Sequence, residues 1–201
     1  ISDNGGSLGA GINNAPDGEV TVTDTAILRS GGIGFQNEGR AVLVDSTVEM
    51  SGNAGILNTD AGAPATLDLR GTSVLGNAGT GILSDGDDVT LVNTTIADNG
   101  AGGIVNRSAS LTGVNVTIAG NAAPDGSRFE VGGLLNISGT ATLTHATIAG
   151  NSAPEAGGGI LAQGGTVAIR NSLVAGNGAP VDPDTGTDGG AIVDDGGNVI
   201  G

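Results

Sequence analysis

The chain has 201 residues, of which 40 are glycine, and its 21 acidic residues against six basic ones give a formal net charge of −15. This acidity disfavours nucleic acid as a partner, because phosphates bind clustered Lys and Arg side chains, and the lack of cysteine excludes disulfides, thiolate metal sites and a cysteine nucleophile. With two phenylalanines and no Trp or Tyr the core must be aliphatic, and no apolar run approaches the roughly 20 residues that span a bilayer.

The predicted elements recur along the chain as a unit of three short strands. The first strand of each unit is an alternating run, with predicted inward side chains at Val20 and Val22, Val42 and Val44, Leu67 and Leu69, Val89 and Leu91, Leu111, Leu143, and Val167 and Ile169. The second strand centres on one aliphatic residue, at Ile27, Val48, Val74, Ile96, Ile118, Ile148 and Val174. The third strand follows a glycine, at Gly11-Ile12, Gly34-Phe35, Gly55-Ile56, Gly81-Ile82, Gly103-Ile104, Gly133-Leu134 and Gly159-Ile160, with Ala191-Ile192 as the last copy.

This repeat predicts an all-β chain, since the runs alternate with period two and are separated by Gly, Asn, Asp and Pro. Three strands per unit describe a coil that climbs one strand spacing per turn. The predicted fold is therefore a right-handed, single-stranded parallel β-helix, a solenoid of about eight coils. A leucine-rich horseshoe is disfavoured, because it requires Leu at fixed offsets and a helical segment.

Residues 1–177 are predicted to form the coils, and residues 178–201 an acidic, Gly- and Asp-rich loop with a last partial coil. Extra length is expected to leave the coils between Asn121 and Gly132 and around Thr59 to Pro64. Residue 1 already lies inside a repeat phrase. We therefore expect a segment of a longer chain, or a subunit whose ends stack on its neighbours.

The repeats also resemble a known family. The phrase Asn171-Ser172-Leu173-Val174-Ala175-Gly176-Asn177, followed by Gly197-Asn198-Val199-Ile200-Gly201, is similar to the β-helix repeats of large bacterial surface proteins. These are the polymorphic outer-membrane-protein and adhesin-type repeats within the pectate-lyase-like superfamily. The resemblance covers essentially the whole chain and implies a secreted or surface location. It does not select a function, because adhesins, lyases and hydrolases share these coil-building residues.

Asparagine recurs in two columns, where buried amides at sharp turns are expected to stack from coil to coil. One column comprises Asn4, Asn53, Asn77, Asn99, Asn121, Asn151 and Asn177, with Ser30 in the gap, and the other comprises Asn14, Asn37, Asn58, Asn106 and Asn136. Four of the asparagines begin glycosylation sequons. Asn106 and Asn136 are assigned to a ladder, which leaves Asn93 and Asn115 as the candidate glycan acceptors.

A polar column precedes the second strand and holds Asp24, Asp45, Gly71, Asn93, Asn115, His145 and Asn171. If these side chains point outward, Asp45, His145 and Arg170 are candidates for polysaccharide chemistry along one edge, where a lyase needs a base and a cation. A hydrolase needs two paired acids, and sugar sites usually stack rings on Trp or Tyr. The sequence supplies neither constellation, so we expect no catalytic site and a surface role for the lone histidine.

The segment Asp182-Pro183-Asp184-Thr185-Gly186-Thr187-Asp188 spaces three carboxylates as a small calcium loop does. Asp182, Asp184 and Asp188 are therefore the predicted Ca²⁺ ligands. A solvated acidic loop is the alternative, because the bidentate Glu of a full EF-hand is missing five or six residues further on. No other cofactor is expected.

We therefore expect a non-catalytic, extracellular or cell-surface rod, structural or adhesive, that is stabilised by calcium and stacks end to end. Its expected partners are further copies through the coil ends, surface glycans or other cell-surface proteins, with no nucleic acid and no membrane span in this segment. The alternative is a polysaccharide-binding module, or a polysaccharide lyase or hydrolase of the pectate-lyase-like superfamily.

Overall fold

The computed structural model describes residues 1–6, 9–126 and 131–201, and within these ranges the chain is an all-β parallel solenoid without a helix. Its strands form three stacks of eight, and every neighbouring pair within a stack is parallel. Each stack repeats once per coil, so the eight strands are joined by about seven complete turns. The predicted β-helix is confirmed.

The first stack contains the longer strands of each coil. They are Glu19–Thr23, Arg40–Val44, Thr66–Arg70, Asp88–Ala97, Ser110–Ala119, Thr140–Thr144, Thr166–Arg170 and Ala191–Asp194. Two of them, Asp88–Ala97 and Ser110–Ala119, continue around the corner into the second stack.

The second and third stacks contain short strands. Besides the ends of the two long strands, the second stack has Ala26–Leu28, Thr47–Glu49, Ser73–Leu75, Thr147–Ala149, Leu173–Ala175 and Val199–Ile200. The third stack has Ile12–Asn14, Phe35–Asn37, Ile56–Asn58, Ile82–Ser84, Ile104–Asn106, Leu134–Asn136, Ile160–Ala162 and Thr185–Thr187.

The solenoid interior is filled mainly by two columns of side chains from the first stack and one column from each of the other two, nearly all of them aliphatic, with Phe35 as the aromatic exception. All seven residues predicted for the second stack, from Ile27 to Val174, are fully buried. In the first stack the prediction is wrong for one coil, where Ala41 and Leu43 are buried and Val42 and Val44 face outward. That run is apolar at every position, so alternation alone cannot choose its inner face. The pairing of Val22 with Leu43 fixes it.

A ladder of asparagine amides runs along one inner corner of the solenoid. Asn99 shows the pattern: its Oδ1 accepts from the backbone N–H of Asn77 at 3.0 Å and from the Asn77 amide at 2.9 Å. Its own Nδ2 donates to Asn121 at 2.9 Å and to the Val74 carbonyl at 3.1 Å. The same contacts repeat through Asn151 to Asn177.

One predicted member of this ladder is wrong. The register of Val48 with Val74 places Ser51, not Asn53, beside Asn77, and the Ser51 N–H donates to the Asn77 Oδ1. The second column is also a ladder. Its Nδ2-to-Oδ1 bonds run from Asn14 to Asn37 and from Asn37 to Asn58, continue to the hydroxyl of Ser84, and resume from Asn106 to Asn136.

The glycine that begins each third-stack strand is required by the close approach of the next coil. A Cβ on Gly81 would lie 2.7 Å from the carbonyl oxygen of Gly103 and 2.8 Å from the Asn99 Nδ2. Gly55 and Gly103 meet the equivalent atoms of their own neighbouring coils. The glycine of each Gly-Ile phrase is thus required because the backbone at that position packs against the first amide ladder.

Residues 178–201 complete the preceding coil and begin a last one, whose first-stack and second-stack strands are Ala191–Asp194 and Val199–Ile200. This segment contributes one strand to each stack. The last copy of the Gly-Ile phrase is assigned wrongly, because Ala191–Asp194 pairs with Thr166–Arg170 in the first stack. Thr185–Thr187 takes the third-stack place instead.

The outer surface of the third stack carries a second apolar cluster that the sequence analysis missed. Val105 and Leu135 point outward from their strands and are buried together with Val131. Leu83, Ile137 and Leu161 are partly buried against them. Two consecutive aliphatic residues after the glycine, as in Gly133-Leu134-Leu135, are typical of a strand that is covered on both faces.

Replacing Gly81 with Ala should lower the free energy of unfolding by about 2 kcal/mol, because the new methyl group overlaps a backbone carbonyl that cannot retreat. Gly178→Ala is the matched control, since a Cβ there meets only the Ser152 Cβ, at 4.0 Å. It should stay within about 0.5 kcal/mol of the parent chain. Urea unfolding of the three proteins measures both effects, and equal losses would contradict this account of the glycine column.

Candidate functional site

The corner between the first and second stacks is a column of residues with left-handed backbone. The positive φ values are 48° at Asp24, 46° at Asp45, 59° at Gly71, 51° at Asn93, 55° at Asn115, 55° at His145, 49° at Asn171 and 73° at Gly197. Asn, Asp and Gly adopt this conformation at least cost. The geometry explains the polar column and confirms that its side chains are directed outward, where Asp45, Asn93, Asn115, His145 and Asn171 are exposed.

His145, Arg170 and Asn171 lie together on this corner. The Nε2 of His145 and the Nδ2 of Asn171 are 3.5 Å apart, and the backbone N–H of His145 donates to the Arg170 carbonyl at 3.0 Å. Arg170 is the last residue of its strand, pairs with Thr144 in register and is exposed. An imidazole and an amide therefore lie side by side on the surface, and the backbone of an exposed arginine is hydrogen-bonded next to them.

Asp45 does not join this group. It occupies the same column four coils away, which is about 19 Å at the spacing of adjacent strands, and its carboxylate extends over Gly71 in the next coil. The three residues proposed for polysaccharide chemistry therefore lie on one edge, but only His145 and Arg170 are neighbours. This arrangement suits the binding of an anionic group.

Within the described ranges, three arginines are engaged in ion pairs with aspartates. The N···O distances are 2.7 Å for Arg29 and Asp3, 2.7 Å for Arg70 and Asp68, and 3.0 Å for Arg107 and Asp85. The hydrogen bond from the Arg29 guanidinium, with a smaller one from Ser2, lowers the pKa of the Asp3 carboxyl to about 2. Arg170 belongs to none of these three pairs.

The predicted calcium ligands are not gathered into one cluster. Asp184 is buried and continues the first amide ladder, where its Oδ1 accepts from the backbone N–H of Asn177 at 3.0 Å and from the Asn177 amide at 2.8 Å. Asp182 and Asp188 are exposed. Across residues 1–6, 9–126 and 131–201, no group of three or more His, Asp or Glu side chains is close enough to hold a metal ion.

Asn93 and Asn115, the candidate glycan acceptors, are stacked on adjacent coils. Both are exposed, and the Nδ2 of Asn115 donates to the Asn93 Oδ1 at 2.8 Å. Asn106 and Asn136 are fully buried in the second ladder, as predicted.

The sequence analysis missed the role of Asp184 as the carboxylate that ends the first ladder. The available signal was the register of the third stack. Thr185 pairs with Ile160, so Asp184 stands at the position that Gly159 occupies in the preceding coil.

In the part of the chain that the structure describes, no helix has the length and apolar character needed to cross a bilayer.

A protein-family model described as a right-handed β-helix region matches residues 66–200, more than half of the chain. No curated protein and no solved structure gives a significant match.

Asp184→Ala should lower the free energy of unfolding by about 2 kcal/mol, because two buried N–H groups of Asn177 lose their acceptor. Asp184→Asn keeps that oxygen and should stay within about 0.5 kcal/mol of the parent chain. Asp188→Ala is the exposed control, because residue 188 does not have a left-handed backbone. Chemical unfolding in EDTA and in CaCl₂ measures all three variants, and a loss for Asp184→Ala that occurs only with Ca²⁺ would contradict the ladder assignment.

Calcium stabilisation itself stays a prediction. Its predicted ligands are Asp182, Asp184 and Asp188, of which Asp182 and Asp188 are exposed.

Proposed function

The chain belongs to the right-handed β-helix family, and we propose that it acts as a non-catalytic structural or adhesive rod at the cell surface or in an extracellular filament. Surface glycans or other cell-surface proteins are the proposed partners of its sides, and further copies of the chain the proposed partners of its ends.

The unbroken register of the three stacks carries this proposal. Each stack runs through all eight strands in parallel pairing, and the amide ladders follow the same axis. At about 4.8 Å per strand the stacks extend over roughly 34 Å. A rod of fixed length with a repeating side is suited to spanning distance and presenting a surface.

The outer face of the first stack supports an adhesive role. In the middle coils its outward side chains include a row of hydroxyls in register, with Thr90 paired to Thr112 and Thr112 to Thr142. Thr112 and Thr142 are exposed. Hydroxyl groups both donate and accept hydrogen bonds, so a row of them matches the hydroxyls of a glycan or the polar rim of a protein partner.

At high concentration the chain should assemble end to end into fibres with an axial repeat of about 38 Å, that is, eight coils of about 4.8 Å. The last coil presents Val199 and Ile200, 62% and 42% exposed, beside unpaired strand edges that add further strands. Negative-stain electron microscopy and sedimentation velocity measure the assembly.

Ile200→Lys should abolish the fibres, because it places a charge on the stacking edge. Val114→Lys is the matched control, since Val114 is 40% exposed but lies in the middle of the rod. Fibres that persist in Ile200→Lys, or a chain that stays monomeric at every concentration, would contradict stacking through the coil ends.

A second function, the binding of an acidic polysaccharide, is favoured by one observation, the grouping of His145, Arg170 and Asn171 on one corner. The guanidinium and the amide can donate to a sugar carboxylate, and Thr144 lies beside Arg170 in the adjacent coil.

Arg170→Ala should weaken the binding of polygalacturonate about tenfold, the loss expected for one charge-assisted hydrogen bond. Arg40→Ala is the control, because Arg40 is also an exposed arginine on the outer face of the first stack. Isothermal titration calorimetry measures both affinities. Equal losses would indicate non-specific attraction, and no binding by the parent chain would remove this second function.

A further inference from the structure

The buried polar side-chain atoms that lack a hydrogen-bond partner all lie in the two amide ladders. Within residues 1–6, 9–126 and 131–201 they are Asn4 Nδ2, Ser30 Oγ, Ser51 Oγ and Asn106 Oδ1. All four belong to the two amide ladders, and each lies at or next to a position where serine replaces asparagine. Ser30, Ser51 and Asn106 are almost completely buried.

A complete ladder step makes two contacts that serine cannot make. The Asn77 amide donates to the Asn99 Oδ1 at 2.9 Å and to the Val48 carbonyl at 3.3 Å. Serine has one polar atom in place of two, and that atom lies one bond closer to the backbone. At Ser51 the hydroxyl therefore does not reach its neighbours in the ladder. The carbonyl that an amide there would meet is that of Ile27, which is in register with Val48.

The second ladder breaks in the same way at Ser84. Its hydroxyl accepts a hydrogen bond from the Asn58 Nδ2 at 3.1 Å, but the following Asn106 Oδ1 receives none. An asparagine at position 84 would supply that donor, as Asn106 itself does for Asn136 at 2.7 Å. The break thus leaves a buried acceptor one coil above a buried hydroxyl.

We propose that each serine break is a binding site for one ordered water molecule, which replaces the missing amide and completes the ladder. At the first site the water bridges the hydroxyls of Ser30 and Ser51 and donates to the Ile27 carbonyl. At the second it accepts from the Ser84 hydroxyl and donates to the Asn106 Oδ1. The third partner of this second water is the Asp87 carbonyl. It is in register with the Ala109 carbonyl, which accepts from the Asn106 amide in the next coil.

Size and polarity both match water. Shortening asparagine to serine removes two heavy atoms, and a buried water needs two to four polar partners. A buried hydroxyl or amide oxygen without any partner costs about 1–3 kcal/mol, whereas a bridging water satisfies it at small entropic cost.

The decisive variant is Ser51→Ala. If water bridges the Ser51 hydroxyl, this substitution removes one of the water's partners, and the folding equilibrium constant should fall roughly fivefold, as for the loss of an ordinary hydrogen bond. Ser46→Ala is the matched control, because the Ser46 hydroxyl bonds directly to the Val44 carbonyl at 2.8 Å and accepts from the Thr25 N–H at 3.1 Å. The two losses should be similar. A Ser51→Ala chain as stable as the parent or more stable would overturn the first site, because removing a dry, unpartnered hydroxyl costs nothing.

A high-resolution crystal structure of the chain tests both sites directly. The expected result is an ordered water within about 3 Å of the Ser51 Oγ and another within about 3 Å of the Asn106 Oδ1. In Ser84→Asn the second water should be displaced and the new amide should contact Asn106. The absence of both waters from the parent structure would overturn the proposal.

Discussion

The repeat of one strand spacing per coil is the constraint on which the rest of this structure depends. Because the strands of each stack pair in parallel register, the nearest neighbours of a side chain are the residues at the same position in the coils above and below. Ile96 lies between Val74 and Ile118 for this reason. Every position must therefore suit a copy of itself about 4.8 Å away, which favours aliphatic columns, amide columns and glycine columns over isolated contacts.

Polar groups inside the solenoid obey the same constraint, because a buried amide must find its partners along the axis. Asparagine has one donor group and one acceptor on the same planar amide, so a column of asparagines is self-complementary. The first ladder ends at Asp184, whose carboxylate accepts from Asn177. Where serine replaces asparagine, as at Ser51 and Ser84, the column loses its self-complementarity, and the unpartnered atoms appear there.

At the outer corners of the rod, side chains project into solvent and need not pack against a copy of themselves in the next coil. The residue type can therefore vary there. A left-handed residue turns the chain between the first and second stacks, and its side chain projects into solvent. Most coils use Asn, Asp or Gly at this place, but His145 shows that the fold tolerates a side chain with other chemistry. The grouping of His145 with Arg170 and Asn171 is thus a surface feature that the packing of the solenoid does not require. Such variation is expected of a fold that hosts many functions.

The sequence by itself determined the fold, the second-stack core column and most of both ladders, because these features repeat and each repeat is independent evidence for the same position. It did not determine the inner face of a strand that is apolar throughout, or which residue occupies a ladder position in an irregular coil. Val42 and Leu43 are both apolar, so only the pairing with Val22 decided which of them is buried. Asn53 matches the ladder spacing in the sequence, but Ser51 occupies the ladder position. Asp184 is predicted as a calcium ligand from its spacing to Asp182 and Asp188, but its carboxylate binds Asn177. The tertiary structure decided these cases, because the register between coils determines which residues lie above one another. The sequence of a single coil does not specify that register.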